Sequence, residues 1–299
     1  MEIIHGLDFK LENSSISLGK FDGLHKGHRL LLDDIKKQQG IPTVFTFEMA
    51  DSVSKIYTQQ EKNRILENLG MEREIIFPFT EETKKMTPEE FIREILVKRL
   101  DVRYICVGAD FHFGKNRSGD IHTLEKYQEK YGYELHVFPK LKEEDEIISS
   151  TRIRSLMEEG NIRQMNALLG EPYFMMGNVV HGNALGRTIQ MPTANIIPDA
   201  NKKLLPFGVY ASIVEVNQKS YYGVTNIGKK PTIGNYNVGV ETYIMDFNED
   251  IYDQPIKVSF FEYLRTEERF PNLTALRRQL QADKQCAEEI LSSLFPKIQ

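Results

Sequence analysis

Two of the chain's seven histidines, His25 and His28, stand three residues apart in the stretch LGKFDGLHKGHRLLLDDI, residues 18–35. Gly19, Phe21, Asp22, Gly23 and Gly27 lie around them, an apolar run (Ile16, Leu18) precedes them, and a helical pattern starts near Leu30. Imidazoles at such a strand-to-helix turn have three readings. They are half-buried polarity without chemistry, or ligands of a metal ion, or part of a phosphate site. The metal reading needs a third ligand, and HKGH lacks the glutamate and the spacing of HExxH. The phosphate reading draws on more of the residues. A helix N-terminus offers free amides and about half a positive charge. Glycines let the backbone approach a ligand closely. Imidazoles add donors where negative charge builds on phosphate oxygens. Transfer reactions at phosphorus rest mostly on such positioning.

Other segments carry polar groups in places that need explaining. Ser149, Ser150 and Thr151 precede a helical pattern and suit a cluster of N-caps. In VGVETYIMDF, alternation puts Glu241 on one face with Tyr243, Met245 and Phe247, and Val240, Thr242 and Ile244 on the other. Both faces are largely apolar, which predicts a well-buried strand, where a carboxylate is paired, protonated or functional. HGNALGRTIQMPTANI (181–196) reads, taken alone, as a surface hairpin loop through Gly182, Gly186 and Arg187. No Walker A sequence is present, because GKNRSG lacks the terminal GK[ST]. DFNEDIYDQPIK has Ile251 and Lys257 where an EF-hand needs glycine and glutamate, so it is a polar turn and not a calcium loop.

Two rhythms position these residues. Up to about residue 170, the apolar runs SISLG, TVFTF, EIIFPF, RYICVG and ELHVF alternate with helical patterns at 28–38, 59–69, 88–99 and 121–131. Thr87 followed by Pro88 marks a helix start. This alternation predicts a parallel sheet covered on both faces, with ligands at the carboxyl ends of its strands. Two short helical patterns follow, at 151–158 and 161–169. After Tyr173, closely spaced strands with turn signals predict a small antiparallel barrel and a closing helix at 273–294. The expected domains are 1–172 and 173–299, divided near LLGEPY. The net charge of −5 argues against a general nucleic-acid or anionic-membrane surface, while allowing a local phosphate pocket. Two widely separated cysteines, no signal-peptide pattern and no transmembrane run predict a reduced, cytoplasmic protein.

GKFDGLHKGH resembles the HxGH signature of the nucleotidyltransferase superfamily. VGADFHFGKNRSG (107–119) and ISSTRIRSLMEEGNI (148–162) resemble the matching stretches of bacterial FAD synthetases. PTAN (192–195), NIGKKPTIG, VETYIMDF and FEYLRTEERFPNLTALRRQLQADKQCA resemble the riboflavin kinase module, in order. The whole chain is thus similar to the bacterial bifunctional riboflavin kinase/FAD synthetase family. Its departures are Gln190-Met191 where relatives carry Gly-Phe, a shorter loop after the second strand without Pro-His-Pro, Lys20 where asparagine or tyrosine is commoner, and His112 where arginine is commoner.

The resemblance implies a Rossmann-like α/β nucleotidyltransferase domain, then a β-barrel kinase domain with a terminal helix. It implies phosphorylation of riboflavin to FMN and adenylylation of FMN to FAD. In the first domain, His25 and His28 would be catalytic. Gly19, Phe21, Asp22, Gly23, Ser150, Thr151 and Arg154 would bind ATP, and Asp110 and Phe111 the flavin. In the second, Glu241 would be the base, Gly182, Gly186 and Arg187 would cover the nucleotide phosphates, Thr193 and Asn195 would hold Mg-ATP, and Arg265 would approach the flavin. Magnesium is implied at both sites, with flavins and ATP as partners and self-association as a further option. Two other readings stay open: an FMN adenylyltransferase whose barrel binds flavin without turnover, and a sensor of flavin or nucleotide without catalysis.

Overall fold

The first strand to carry chemistry, β2 (Ser14–Gly19), sits inside a six-stranded, wholly parallel sheet. The other strands are β1 (Glu2–His5), β3 (Ile41–Phe47), β4 (Arg73–Phe77), β5 (Val102–Gly108) and β6 (Glu134–Phe138), in the order β1-β4-β3-β2-β5-β6. The computed structural model describes residues 1–48, 53–181, 191–229 and 238–296. These fall into two compact units, Met1–Ser150 and Thr151–Gln299. Among the described residues no helix is long and apolar enough to cross a membrane.

The sequence of β2 explains why both sheet faces are covered. Ile16 and Leu18 enter a core with Phe45, Ile75 and Phe77, beneath Phe91, Ile92 and Leu96. The small Ser15 and Ser17 lie on the other side, where Ser15 Oγ donates to the Ile35 carbonyl of helix α1 (Lys26–Lys36) at 3.0 Å. Helix α2 (Gln59–Asn68) is opened by a capping box between Thr58 and Glu61. As the Thr-Pro signal predicts, Thr87 caps helix α3 (Pro88–Glu90), which continues as a π-helix over Phe91–Val97. Helix α4 (Ile121–Tyr131) ends on the left-handed Gly132. The strand order reverses at β2: the chain passes through β3 and β4 on one side, then returns to place β5 and β6 on the other. Ligands of such sheets bind where the order reverses, outside the carboxyl ends of the flanking strands. Gly19 and Gly108 end those two strands.

The second unit begins with helices α5 (Ser150–Glu159) and α6 (Ile162–Leu169), closed by the left-handed Gly170. An antiparallel sheet follows. Its strands, in spatial order, are Thr193–Ile196, Val238–Ile244, Lys219–Lys229, Gly208–Val216, Pro255–Arg265 and Phe174–Asn178. The two edges meet where Val180 N–H donates to the Asn195 carbonyl at 2.8 Å, which closes the sheet into the expected barrel. Inside, a hydroxyl chain runs from Ser212 through Thr225 to Thr242, at 2.7 and 2.9 Å. Val240, Thr242 and Ile244 are buried there. The C-terminal helix, Leu273–Leu294, covers part of the outside with Ala287 and Leu291 against Val209, Ala211 and Ile213.

Arg265 and Asp283 bind that helix to the barrel. The guanidinium reaches Asp283 with Nε at 2.9 Å and with Nη2 at 2.7 Å, and Gln279 donates to the same carboxylate at 2.9 Å. Asp283 is 4% exposed, so removing its partner leaves a buried charge uncompensated. Arg265→Ala is expected to destabilise the barrel unit by about 3 kcal/mol, while Arg265→Met with Asp283→Leu recovers most of the loss. Thermal unfolding of the two variants decides it; equal unfolding of Arg265→Ala and wild type would rule out the pair as the fastening.

Candidate active sites

The histidine turn is built from backbone that ordinary residues avoid. Phe21, Gly23 and Leu24 all have positive φ, at 50°, 89° and 43°. The chain thereby folds back over the end of β2, and a Cβ on Gly19 would stand 3.2 Å from the Phe21 ring. His25 then caps α1: its Nδ1 accepts from the His28 N–H at 3.3 Å. The two imidazoles stack, with ring centroids 3.6 Å apart and planes 15° from parallel, and Phe21 packs on His28 at 5.2 Å. Gly27 makes room for this, since a Cβ there would meet the His25 ring at 3.2 Å.

Charge and tautomer follow from these contacts. His25 is 6% exposed, and burial lowers its pKa from 6.5 to about 4, against the opposing pull of Asp22. Burial also pushes His28 well below its usual value, with His25 and the Lys62 ammonium adding to the effect. Both rings are therefore neutral at pH 7. Because His25 Nδ1 accepts a hydrogen bond, its proton is on Nε2. His28 Nδ1 is buried without a hydrogen-bond partner. An orphaned acceptor costs less than an orphaned N–H, so this ring also carries its proton on Nε2. Two neutral imidazoles with Nε2–H donors thus stand at the positive end of a helix.

The neighbouring residues complete the wall. Asp22 receives the Ile56 N–H at 3.0 Å, and its carbonyl accepts from Ser150 Oγ at 2.7 Å. Ser150, expected from the family pattern, is thus joined to the histidine turn. Thr151 is exposed and Arg154 half-buried, and both belong to the second unit. Asp110 lies just beyond β5, where it pairs with Lys140 at 2.9 Å, and Phe111 stacks on Phe113 at 5.6 Å. A cavity of about 190 Å³ opens beside the turn, bordered by Lys20, Phe21, Asp22, Gly23, Lys55 and Lys62. Lys62 and Thr46 are polar side chains here that sequence reading passes over. The available signal was periodicity: Lys62 shares a helical stripe with Ile65 and Leu66, the buried face of α2.

In the second unit, strand register assembles the candidate residues. Asn195 lies opposite Glu241, and Glu241 opposite Asn226, so three polar side chains form one row across three strands. Thr193 Oγ1 donates to Glu241 Oε1 at 2.5 Å. Glu241 shares the outer face of the barrel with Tyr243 and is half-buried. The Val240, Thr242 and Ile244 face is fully buried, whereas the Glu241 face is closed only in part, with Tyr243 and Met245 in the cluster under the C-terminal helix and Glu241 itself half-buried. Asn226 belongs to a quoted motif but carried no expected role, and it donates to Glu267 at 3.2 Å. A cavity of about 390 Å³ borders Thr193, with Val179, Pro192, Phe247, Asp250 and Tyr252 among its walls. Beside it, His181 stacks on Tyr252 at 3.8 Å. Gly182, Gly186, Arg187 and Gln190 lie outside the described residues, whereas Met191 is buried. Arg265 spends its Nε and Nη2 donors on Asp283 and Nη1 on the Thr266 carbonyl.

Magnesium prefers hard oxygen ligands and usually shares them with substrate phosphates and water. The hydroxyl of Thr193, the amide oxygen of Asn195 and the carboxylate of Glu241 fit that donor set. Among the described residues no group of three or more His, Cys, Asp or Glu could hold a metal ion by itself.

Comparisons with known proteins agree in both halves. Residues 8–152 match the FAD synthetase family, and residues 169–291 match the riboflavin kinase family. The bifunctional riboflavin kinase/FMN adenylyltransferase of Escherichia coli K12 is 32% identical, covering 95% of each chain. The enzyme of the same name from Bacillus subtilis 168 is 34% identical, over 94% of this chain and 93% of its own. A crystal structure from Streptococcus pneumoniae, named a macrolide-efflux protein, is similar with a TM-score of 0.84 at 30% identity, covering 96% of this chain and 99% of its own. With both catalytic domains present in order, and relatives aligned along nearly the full length, the chain belongs to the family of bifunctional riboflavin kinase/FMN adenylyltransferases, the enzymes of FAD biosynthesis.

Proposed function

We propose that the two reactions are divided between the two sites, residue by residue. At the first, a phosphate oxygen of FMN attacks the α-phosphorus of ATP; one P–O bond forms, the bond to pyrophosphate breaks, and FAD is the product. His25 and His28, as neutral Nε2–H donors, stabilise the charge that moves onto the phosphate oxygens. Gly19, Phe21, Asp22 and Gly23 shape the turn that receives the triphosphate, with Ser150, Thr151 and Arg154 as further ATP contacts and Asp110 and Phe111 on the flavin. At the second, Glu241 takes the proton of the ribityl 5′-hydroxyl as that oxygen attacks the γ-phosphorus of ATP, giving FMN and ADP.

Thr193 holds the Glu241 carboxylate in place through its hydroxyl. Thr193 and Asn195 would hold magnesium, whose chemistry there is to neutralise phosphate charge. Gly182, Gly186 and Arg187 are assigned to the nucleotide phosphates and Arg265 to the flavin side. We assign the adenylyltransferase to residues 1–172 and the kinase to 173–299. The need for ATP, and two free cysteines at Cys106 and Cys286, support a cytoplasmic setting. The observation that carries the reading is the pair of stacked, buried imidazoles at the start of α1.

The first test follows flavin products by chromatography with Mg-ATP, started in parallel from riboflavin and from FMN. FAD from both is expected. FAD from FMN alone would leave the barrel as a flavin-binding module, and no product from either would favour a sensor.

His28→Ala is expected to slow adenylylation by about a hundredfold or more with kinase activity unchanged, and Glu241→Gln to do the reverse. Equal damage to both reactions in a folded variant would refute the division.

The lowered pKa of His25 also makes a stability prediction. Its folded value, about 4, lies below the unfolded 6.5. Its contribution is therefore complete above pH 6.5 and is lost as the pH falls towards 4, because only the unfolded chain gains the proton. Between pH 6.5 and 5 the first unit should lose about 2 kcal/mol from this source. His25→Asn, which keeps a capping side chain, should lose correspondingly less. Calorimetric scans at pH 7 and pH 5 compare the two, and parallel losses would remove His25 as the cause.

A further inference from the structure

We propose that Lys62 is a positioning residue for adenylyl transfer: its ammonium, braced by Glu74 against the cost of burial, tethers the histidine turn through Thr46 and sets a positive charge within electrostatic reach of His28. This inference rests on the assignment of adenylylation to the first unit.

Lys62 is 8% exposed, on the buried face of α2 and on the wall of the 190 Å³ cavity. A buried ammonium is costly unless it is paired and hydrogen-bonded, and burial lowers the pKa of Lys62 against the opposing pull of Glu74. Its Nζ lies 2.8 Å from Oε1 of Glu74, a fully buried carboxylate on β4. Gln59 donates to the other Glu74 oxygen at 2.8 Å. Lys62 Nζ also donates to Thr46 Oγ1 at 3.1 Å, and Thr46 Oγ1 donates to the Lys20 carbonyl at 3.3 Å. That carbonyl opens the segment in which Phe21, Gly23 and Leu24 adopt positive φ. The chain of contacts thus runs from β4 through α2 and the end of β3 into the turn that carries both histidines. A purely structural buried pair has no need to end there.

The charge has a second consequence. His28 can give an Nε2–H to a phosphate without itself being cationic only if protonation is resisted. The groups around it are His25 and Asp22 in the turn, Lys62 on α2, and Glu74 and Lys55 close to Lys62. On its own helix, Lys26 is paired with Glu143, and Arg29 Nε donates to the Leu24 carbonyl. Lys62 is thus the cation that disfavours protonation of His28, together with burial and the neighbouring ring.

The test uses the full chain. Lys62→Met is combined with Glu74→Gln so that no lone buried carboxylate remains; Thr46→Val breaks the tether but keeps the charge. Two readouts are taken: the pH profile of FAD formation from FMN and Mg-ATP, and the NMR titration of the His28 ring without substrates. The double variant is expected to lose at least tenfold in kcat, and its His28 is expected to titrate at higher pH than in wild type. Thr46→Val is expected to lose kcat without moving that titration. A folded double variant with wild-type kcat and an unmoved His28 titration overturns the proposal, as does a fall in kcat with the titration unmoved. If wild type forms no FAD, the assignment of function fails instead, and the His28 titration still tests the placement of the charge.

Discussion

Two imidazoles stacked at 3.6 Å cannot both be charged. Even with an effective dielectric of about 20, two unit charges at that separation repel by roughly 5 kcal/mol. The rings also sit at the positive end of α1, which disfavours cations again. Much of the first unit serves this constraint. Burial supplies the neutrality, the left-handed run at residues 21–24 folds the turn over the rings, and Gly27 leaves space for His25 to lie back on the helix. Neutral rings still have a direction: the cap bond occupies His25 Nδ1, and sealing leaves His28 Nδ1 without a partner. What remains is a pair of donors whose protons are on the same nitrogen type and which bring no charge of their own. Such donors stabilise developing negative charge without binding the resting phosphates as tightly as cations would, which is the differential that raises a rate.

The position of the pair follows from topology. β2 is the strand at which the order reverses, so the connections leaving β2 and β5 diverge and leave a crevice between them. The histidine turn follows one strand and the Asp110 turn the other. Neither segment is a site alone; the parallel register, with Ser17 opposite Cys106, brings their carboxyl ends together.

How much of this was legible in the sequence differs by kind of signal. The helices were readable because each carries several turns of periodicity, and α4 and the C-terminal helix match their expected spans. β1 escaped because four mostly exposed edge residues have no alternation to detect. The PTAN segment was read as a motif and not as a strand, for it pairs over only four residues. The histidine pair was legible because its stacking, its cap and its Phe21 contact are local, within ten residues. Lys62 was not, because its meaning depends on Glu74, Thr46 and Lys20, which three different elements supply. The Glu241 strand was misread in environment because alternation gives two faces without saying which is the interior. Barrel closure through Val180 and Asn195 decides that, and it leaves the carboxylate on the outer, polar row.

On the proposed assignment, the two sites also differ in a way that their substrates require. An alcohol must lose a proton before or as it attacks phosphorus, so a riboflavin kinase needs an acceptor, and the second unit presents Glu241 held by the Thr193 hydroxyl. A phosphate monoester is already an anionic nucleophile near neutral pH, its second pKa being about 6. It needs no base; what it needs is relief of charge as pyrophosphate departs. The histidine turn has donors and nearby cations, and the carboxylate within it, Asp22, is engaged by the Ile56 amide. A carboxylate base in the first site would repel the incoming phosphate. A cluster of donors alone in the second would leave the hydroxyl proton with nowhere to go. On that assignment, the polarity of each site is therefore matched to its nucleophile, and the product of the second reaction, FMN, carries the group that the first would accept.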